Sequence, residues 1–272
     1  MSVSNISKER FTDILNEYLT PSDPVKNERH LYGRTANLRE IDTSLSARGR
    51  QIFIYGERGV GKTSLAYTAA YQHIADGEPP IYIPCSRDTK FYPLVRHLAG
   101  RLLGNPFGDV RTVTESVGGG AKAAVLGIGF ELDGTKQITR QDGTLPEVSD
   151  LASAVELIRY AAAKGNQARR IVLIDEFDLI GDLEERARFA DFVKQLGDQS
   201  IPIQVIFCGI GSSVTDLFEA HNSSVRYLNT IKVDRLDYDA RWAIIDNAAK
   251  AIGVEVPEPM RTRIAIITNI PT

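Results

Sequence analysis

The chain has 272 residues, of which 43% are hydrophobic and 25% are charged, and its formal net charge is −3. This length accommodates one large α/β domain and part of a second, and the small negative charge provides no overall attraction to nucleic acid. Residues 1–10 are polar and no run of about 18 apolar residues occurs, so we expect neither secretion nor insertion into a membrane.

The chain contains two cysteines, Cys85 and Cys208, and each follows an apolar, strand-like run. Isolated cysteines in such positions are typical of reduced thiols in a protein core, rather than of disulfides or metal ligands. We therefore predict a cytoplasmic protein.

The N-terminal part precedes the first predicted strand and contains two helical patterns. Residues 8–20 predict a short helix, which two prolines end. A turn at residues 32–34 then precedes a second helix, predicted from about residue 36 to residue 47. We expect residues 1–29 to form a helical extension of the main domain.

The next segment is the most informative, because residues 56–63 fill every fixed place of the phosphate-binding pattern G-x-x-x-x-G-K-[ST]. An apolar strand at residues 51–55 precedes it and a helix follows, as the pattern requires. The glycines allow backbone N–H groups to surround phosphate oxygens, Lys62 reaches the outer phosphates as a binding and catalytic group, and Thr63 ligates magnesium. The alternative, an ordinary glycine turn before a helix, is disfavoured because so many conditions are met together. The predicted nucleotide contacts are Gly56, Glu57, Arg58, Gly59, Val60, Gly61, Lys62, Thr63 and Ser64.

The alternation of helical and strand patterns fails further along the chain, between Arg101 and Pro146. We interpret residues 104–146 as an insertion, since it is rich in glycine and one part resembles an arm of a hairpin. No Lys-Thr or Lys-Ser pair follows its glycines, so a flexible hairpin or a partner-binding loop is favoured over a second phosphate loop.

Residues 171–176 form an apolar run that ends in two carboxylates, Asp175 and Glu176. Such a run is typical of a buried parallel strand whose carboxyl end faces the phosphate loop, as a Walker B strand does. Asp175 is then the candidate magnesium ligand, and Glu176 is the candidate group that orients or deprotonates the attacking water. A solvated strand end is the alternative, disfavoured because the run follows a good phosphate loop by roughly a hundred residues. Together the two motifs predict hydrolysis of a nucleoside triphosphate.

Apolar strand-like runs recur at residues 51–55, 80–85, 171–175 and 203–208, and a fifth strand is predicted at residues 231–233. Because helical patterns lie beside these runs, we predict a wound parallel sheet. The expected fold is the three-layer α/β/α arrangement of P-loop NTPases.

Two amphipathic patterns close the chain, one from residue 239 and one from residue 260 to residue 268. They predict two helices that form the start of a small helical lid. Trp242, the only tryptophan, is expected in the core of this lid.

The motifs together resemble those of AAA+ ATPases, and within that class the branch that includes initiator ATPases, transposition ATPases and STAND signalling ATPases. The resemblance rests on the phosphate loop, the strand that ends at Asp175, the turn at residues 32–34 and the fourth strand with its following glycines. It covers roughly residues 30–272. It implies a nucleotide-binding domain over residues 30–236 and a partial helical lid over residues 237–272.

The resemblance also implies roles for five residues outside the two motifs. Gly33 and Arg34 would lie near the adenine, with a turn glycine and a surface arginine as the alternative. Arg226 would be an arginine finger that reaches the γ-phosphate of a neighbouring subunit, with a structural salt bridge as the alternative. Ser212 is the candidate for the sensor-1 position after the fourth strand. Pro271 lies in a segment that resembles the G-x-P turn of STAND proteins, with asparagine in place of glycine.

On these grounds we expect Mg²⁺-dependent ATP binding and hydrolysis that drives a conformational or assembly switch. The resemblance implies nucleotide-dependent self-association and a separate protein effector or client, as in a bacterial defence or signalling system, with no membrane partner. The alternative is a DNA-binding loader or regulator of the initiator or transposition type. A third class, in which the nucleotide is a structural ligand without turnover, is disfavoured by the intact phosphate loop and by Asp175 and Glu176.

Overall fold

The computed structural model of this chain describes residues 7–18, 25, 28–47, 49–74, 79–104, 145–164, 170–212 and 227–268. Within these residues the helices are α1 (Lys8–Tyr18), α2 (Thr35–Ser46), α3 (Lys62–His73), α4 (Phe91–Leu102), α5 (Leu151–Lys164), α6 (Leu183–Asp198), α7 (Tyr238–Ala251) and α8 (Glu258–Thr268). The strands are β1 (Gln51–Tyr55), β2 (Ile81–Pro84), β3 (Arg170–Asp175), β4 (Ile203–Gly209) and β5 (Leu228–Lys232). Short 3-10 turns occupy Glu28–His30 and Phe177–Leu179.

The five strands form one parallel sheet in the order β2-β3-β4-β1-β5. β1 lies between β4 and β5, so that Ile52 pairs with Ile206 on one side and with Asn229 on the other. Because the carboxyl ends of parallel strands meet at the same edge of a sheet, the residues that follow β1, β3 and β4 converge. The predicted wound α/β sheet is confirmed.

The fifth strand was predicted at residues 231–233, but it begins at Leu228 and ends at Lys232. In the part of the chain that the structure describes, β5 is an edge strand that pairs with β1 alone. Its middle residues Asn229 and Thr230 are polar and only half-buried. The apolar alternation is therefore weak in the first half of the strand, and the sequence pattern located only the second half.

The sheet is buried on both faces, and side chains of each strand alternate between them. Phe53 of β1 packs with residues of α4, α5 and α6, whereas its two neighbours in the strand pack with residues of α2 and α3. On the first face, the ring of Phe177 lies 5.8 Å from that of Phe53 and 5.3 Å from that of Phe207, both edge to face. Phe177 lies two residues after the end of β3 and directly after Glu176. Its packing therefore fixes the chain at the carboxyl end of the strand.

A segment before α2, here named the strap (Val25 and residues 28–34), runs along α3. The N–H group of Val25 donates to Ser64 Oγ at 3.1 Å, and Thr68 Oγ1 donates to the Val25 carbonyl at 2.8 Å. Gln72 Nε2 donates to Glu28 Oε2 at 2.7 Å. Ser64, Thr68 and Gln72 are spaced by four residues and therefore share one face of the helix.

The last two helices, α7 and α8, lie in the segment that was predicted to form a partial lid, and they are here called the lid. α7 follows Asp237, whose carboxylate accepts a hydrogen bond from the Ala240 N–H group at 2.7 Å, as an N-cap does. Arg261 of α8 lies 5.1 Å from the ring centroid of Trp242 and donates to Asp246 at 2.7 Å. Trp242 is buried, and the assignment of these two helices to a lid stays a prediction. α1 packs against α7, so the N-terminal helix is in contact with the lid.

Part of the predicted molecule lies outside the described residues. This applies to most of the predicted insertion, at residues 105–144, and to Arg226 and Pro271. The domain boundaries at residues 30 and 237 stay predictions. Among the described residues, no helix combines the length and the apolar character needed to cross a lipid bilayer.

Candidate nucleotide-binding site

The phosphate loop connects the carboxyl end of β1 to the first residue of α3. Gly59 and Gly61 have φ angles of +78° and +89°, a left-handed region that favours glycine. A Cβ atom on Gly56 would lie only 2.2 Å from the carbonyl oxygen of Val233, just beyond β5. Glycine at these positions is thus required by the turn itself and by the close approach of the two backbones.

Lys62, the first residue of α3, has its side chain folded against the loop. Its Nζ donates to the carbonyl oxygens of Gly56 at 3.1 Å and Glu57 at 2.7 Å. The ammonium group therefore lies at the start of the loop, and Lys62 lines the cavity described below. From there the ammonium can reach a phosphate that the loop surrounds.

The next residue connects the loop to the end of β3. Thr63 Oγ1 donates to Asp175 Oδ2 at 2.7 Å, and the hydroxyl of Tyr82 donates to the same oxygen at 3.2 Å. Burial, and then the negative charge of Asp175, raise the pKa of the Tyr82 phenol, so it keeps its proton and acts as a donor. Asp175 itself is 5% exposed. The predicted magnesium ligands Thr63 and Asp175 are therefore adjacent.

Glu176 follows Asp175 and is exposed, with a φ angle of +54°. A left-handed conformation is unfavourable for a residue with a Cβ atom, and such residues are common at functional sites. Two contacts hold it here: the Glu176 N–H group donates to Asp175 Oδ1 at 2.9 Å, and its carbonyl accepts from Leu179 N at 2.8 Å. A 3-10 turn begins at the next residue, and Glu176 lines the cavity.

A cavity of about 210 Å³ lies between the loop and the ends of β3 and β4. Pockets that enclose a whole drug-sized ligand measure roughly 300–1,000 Å³, so this cavity has the size for the phosphate end of a nucleotide. The described residues that line it include all four core groups of the two motifs. The lining consists of Arg58, Gly59, Lys62, Thr63, Asp175, Glu176, Asp178, Leu179 and Cys208.

Cys208, near the end of β4, was predicted as a core thiol, and both it and Cys85 are buried and not in disulfides. Burial raises the pKa of Cys208 well above its ordinary value and that of Cys85 to about 12, so both thiols are neutral at pH 7. Cys208 also lines the cavity, which sequence reasoning missed. The predicted sensor-1 residue Ser212 is exposed and is not among the described lining residues. Position at a strand end, rather than polarity, would have identified Cys208.

The turn at Gly33 and Arg34 connects the loop to the base of the lid. Gly33 has a φ angle of +65°, and a Cβ atom there would lie 2.6 Å from the Cβ atom of Ala240. Arg34 is 6% exposed, and its Nη2 donates to the carbonyl oxygens of Val60 and Asp234, both at 2.7 Å. Burial lowers the pKa of the guanidinium, and Asp234 opposes that effect. The location of Gly33 and Arg34 near the adenine stays a prediction. The alternative of a surface arginine is wrong, because Arg34 is buried and joins the backbone of Val60 to that of Asp234.

Two ion pairs flank the phosphate loop, and sequence reasoning identified neither. Glu57 Oε2 accepts from Arg235 Nε at 2.8 Å, between well-exposed side chains. Arg58 Nη2 donates to Asp178 Oδ2 at 3.1 Å. The partners are 178 and 120 positions apart in the chain, so no local pattern could have indicated them.

The residues at the site fit a magnesium ion that is shared with phosphates. In the residues that the structure describes, no group of three or more His, Cys, Asp and Glu side chains could hold a metal alone. Mg²⁺ is usually bound through one or two protein oxygens together with substrate phosphates and water. The hydroxyl of Thr63 and the carboxylate of Asp175, 2.7 Å apart, supply that kind of donor set.

Comparison with known proteins gives a family match and a fold match. The pattern of the AAA ATPase domain matches residues 30–206, which is more than half of the chain. No curated protein matches the chain in sequence. The Walker-type ATPase of Pyrococcus abyssi is 16% identical, with a TM-score of 0.57, and the match covers 90% of this chain and 65% of that protein.

Two further solved structures are similar at lower TM-scores. The Orc1 protein of Aeropyrum pernix in complex with DNA is 14% identical, with a TM-score of 0.49, and 86% of this chain and 52% of that one are covered. AMPPCP-bound DnaA from Aquifex aeolicus is 16% identical, with a TM-score of 0.44, and the coverage is 85% and 55%. The chain thus spans between 52% and 65% of the length of these three proteins.

The family match and the site agree with each other. The matched residues 30–206 contain the phosphate loop, Asp175 and Glu176, and the structure brings these groups to one cavity. The likeness to the Walker-type ATPase shows the same fold. This chain therefore belongs to the AAA ATPase domain family, and it is an ATPase.

Proposed function

We propose that this ATPase is Mg²⁺-dependent and that ATP binding and hydrolysis change the position of its lid helices, as in the ATPase component of a signalling or defence system. The observation that carries the proposal is the arrangement around the phosphate loop. On one side the loop contacts the end of β3 through Thr63 and Asp175. On the other side Arg34 links Val60 of the loop to Asp234, three residues before the cap of the lid.

The reaction is attack of water on the γ-phosphorus of ATP. Glu176 orients the water and takes one of its protons, the bond from the γ-phosphorus to the bridging oxygen breaks, and ADP and phosphate are formed. The Lys62 ammonium exchanges the carbonyl oxygens of Gly56 and Glu57 for outer phosphate oxygens and stabilises the charge that develops there. Backbone N–H groups of the loop hold the phosphate chain in place.

Thr63 and Asp175 would hold the magnesium ion, the hydroxyl by direct ligation and the carboxylate directly or through water. When bound, the ion offsets part of the negative charge of the outer phosphates. The hydroxyl of Tyr82 orients the Asp175 carboxylate by its hydrogen bond at 3.2 Å. This orientation is independent of the nucleotide, because it comes from the neighbouring strand β2.

The lid changes position when nucleotide binds because the first turn of α7 packs on Gly33, whose neighbour Arg34 contacts the phosphate loop. The Gly33 turn leaves no room for a Cβ atom next to Ala240 in the first turn of α7. A shift of the loop that moves Val60 also moves Arg34, and through Asp234 and Gly33 it reaches α7. Packed contacts of this kind transmit small displacements as a change between discrete arrangements.

The exposure of the site supports self-association and a protein partner. Glu176 is exposed and the Arg58 side chain is 75% exposed, so a residue of a second copy can approach the outer phosphate. Arg226 is our candidate for that residue. The exposed cations Lys232 and Arg235 close to the loop are paired with carboxylates, and the net charge is −3, which favours a protein partner over DNA.

The catalytic assignment is tested by replacing Glu176 with Gln. We expect kcat for ATP hydrolysis to fall by about 100-fold or more, because a positioned base contributes roughly 10²- to 10⁴-fold, with Mg²⁺-ATP binding retained. Lys62→Ala should weaken the binding itself. Glu40→Gln, at an exposed position of α2, is the matched control and should hydrolyse ATP normally. Hydrolysis by Glu176→Gln at the wild-type rate would refute the assignment.

Self-association is tested by sedimentation velocity with Mg²⁺ and a non-hydrolysable ATP analogue, against ADP. We expect a defined assembly with the analogue alone, and a monomer for Lys62→Ala under both conditions. If an assembly forms, Arg226→Ala should still assemble but should lose hydrolysis. A wild-type monomer in every condition would remove self-association from the proposal and leave the intramolecular switch.

A further inference from the structure

The ion pair between Arg58 and Asp178 joins the two rims of the phosphate cavity. Arg58 comes from the phosphate loop, and Asp178 comes from the 3-10 turn that follows β3. Both residues line the cavity, and their side chains meet at 3.1 Å. A phosphate chain that enters the cavity must therefore lie next to this pair.

The two partners differ in how firmly they are held. The Asp178 side chain is 10% exposed, whereas that of Arg58 is 75% exposed. Arg186 fixes the turn around Asp178, since it donates to the carbonyl oxygens of Asp178 at 2.9 Å and Ile180 at 2.6 Å. Asp178 is thus a fixed, nearly buried anion, and Arg58 is a long side chain that can change its partner.

The charges of the cavity favour such a change when ATP binds. The described lining residues include two cations, Arg58 and Lys62, and three carboxylates, those of Asp175, Glu176 and Asp178. A triphosphate adds further negative charge, and each cation gains by facing it. Guanidinium groups suit phosphate well, because their planar fork of N–H donors matches two phosphate oxygens.

We propose that Arg58 exchanges Asp178 for the terminal phosphate of ATP, so that Asp178 acts as an internal competitor of that phosphate. Arg58 is then a contact that ATP makes and ADP does not. Asp178 reduces the affinity for ATP by holding Arg58 until the terminal phosphate displaces it. The inference rests on the proposed function in one respect only, which is that the outer phosphates occupy this cavity.

A purely structural ion pair and a competing one make different predictions. If the pair only supports the fold, removal of either partner lowers the stability of the protein and weakens the binding of all nucleotides to the same extent. If Asp178 competes with the phosphate, removal of Arg58 weakens the binding of ATP, whereas removal of the Asp178 charge strengthens the binding of ATP. The opposite sign of the two effects is what distinguishes the models.

The test is calorimetric titration with Mg²⁺ and either a non-hydrolysable ATP analogue or ADP. For Arg58→Ala we expect the affinity for the analogue to fall by about 10- to 100-fold, the value of a hydrogen-bonded charge, and the affinity for ADP to change by less than about twofold. For Asp178→Asn we expect the affinity for the analogue to rise by about three- to tenfold. The double variant should behave like Arg58→Ala.

Arg58→Lys keeps the charge without the fork and should lie between wild type and Arg58→Ala. Thermal unfolding without nucleotide shows whether each variant is folded, and Arg58→Lys serves if Arg58→Ala is not. Weaker analogue binding by Asp178→Asn, or an equal loss of analogue and ADP in Arg58→Ala, overturns the inference. A wild-type protein with no ATP turnover would refute the proposed function, while the opposite shifts in analogue affinity would still support the exchange.

Discussion

The phosphate loop is held differently on its two sides. Toward β3, the contacts join side chain to side chain, as in the pairs Thr63–Asp175 and Arg58–Asp178. Toward β5 and the lid, the buried contacts involve the backbone: Arg34 donates to carbonyl oxygens, and Gly56 lies against another backbone carbonyl. The side-chain pair on this side, Glu57–Arg235, lies between well-exposed groups. Side-chain contacts can change partner when phosphates arrive, whereas backbone contacts set the shape of the loop. The first side thus serves the reaction and the second serves stability and coupling to the lid.

The strongest test of this comparison is Gly56→Ala. The added Cβ atom would meet the Val233 carbonyl oxygen at 2.2 Å, so the free energy of unfolding should fall by about 3 kcal/mol, at the upper end for overpacking. ATP binding should be lost with it. Gly181→Ala is the matched control, because nothing lies within 4 Å of its Cβ position. Denaturant unfolding of both variants checks this, and equal stabilities would contradict the backbone contact.

Arg34→Met should cause the next largest loss of stability. It removes two hydrogen bonds and leaves the Val60 and Asp234 carbonyl oxygens without this donor, which costs about 2 kcal/mol of unfolding free energy. Arg39→Ala, at an exposed position of α2, is the control and should change stability by less than about 0.5 kcal/mol. If Arg34→Met unfolds at the same denaturant concentration as the wild type, the stability of the protein does not depend on the hydrogen bonds from Arg34 to Val60 and Asp234.

Gly33→Ala should have a somewhat smaller effect, about 1–2 kcal/mol, from the positive φ angle and the contact with Ala240. A double-mutant cycle separates the two causes. In an Ala240→Gly background the steric part is removed, so Gly33→Ala should cost less there than in the wild type. Equal costs in the two backgrounds would show that the turn is not packed on α7.

The smallest effect is expected from relief of backbone strain at two positions with similar φ angles. Glu176 and Ser200 have φ angles of +54° and +50°, and glycine at either should raise the unfolding free energy by about 0.5–1 kcal/mol. Glu176→Gly should abolish hydrolysis, whereas Ser200→Gly, two residues after the end of α6, should not. Loss of stability in both variants would mean that neither conformation is strained.

The sheet and the strand side of the site could be predicted from the sequence because their patterns are local. Continuous apolar runs identify the buried strands, and Asp175 and Glu176 stand directly at the end of such a run. The glycine loop is equally local. Hence Lys62, Thr63 and the two carboxylates could be predicted to share one site, and the structure places all four around one cavity. Their roles in binding and catalysis stay predictions.

The remaining contacts could not be predicted because they join distant parts of the chain. Asp178 and Arg235 become partners of the loop only when the ends of β3 and β5 lie beside it. Arg34 gives no sign in the sequence that it is buried or that its acceptors are carbonyl oxygens. The start of β5 at Leu228 was not predicted for a related reason, because the polar residues of this edge strand interrupt the apolar pattern.

The strap has a practical consequence for experiments on this ATPase. The amide hydrogen of Val25 is bonded to the hydroxyl of Ser64, which lies two residues after Lys62 in the same helix. Amide exchange with solvent requires that bond to open, and its rate measures how often a local opening occurs. The exchange rate of this one hydrogen therefore reports how often the strap separates from the helix that begins with Lys62. Followed by NMR during a titration with nucleotide, Val25 is a natural probe that needs no label at the site itself.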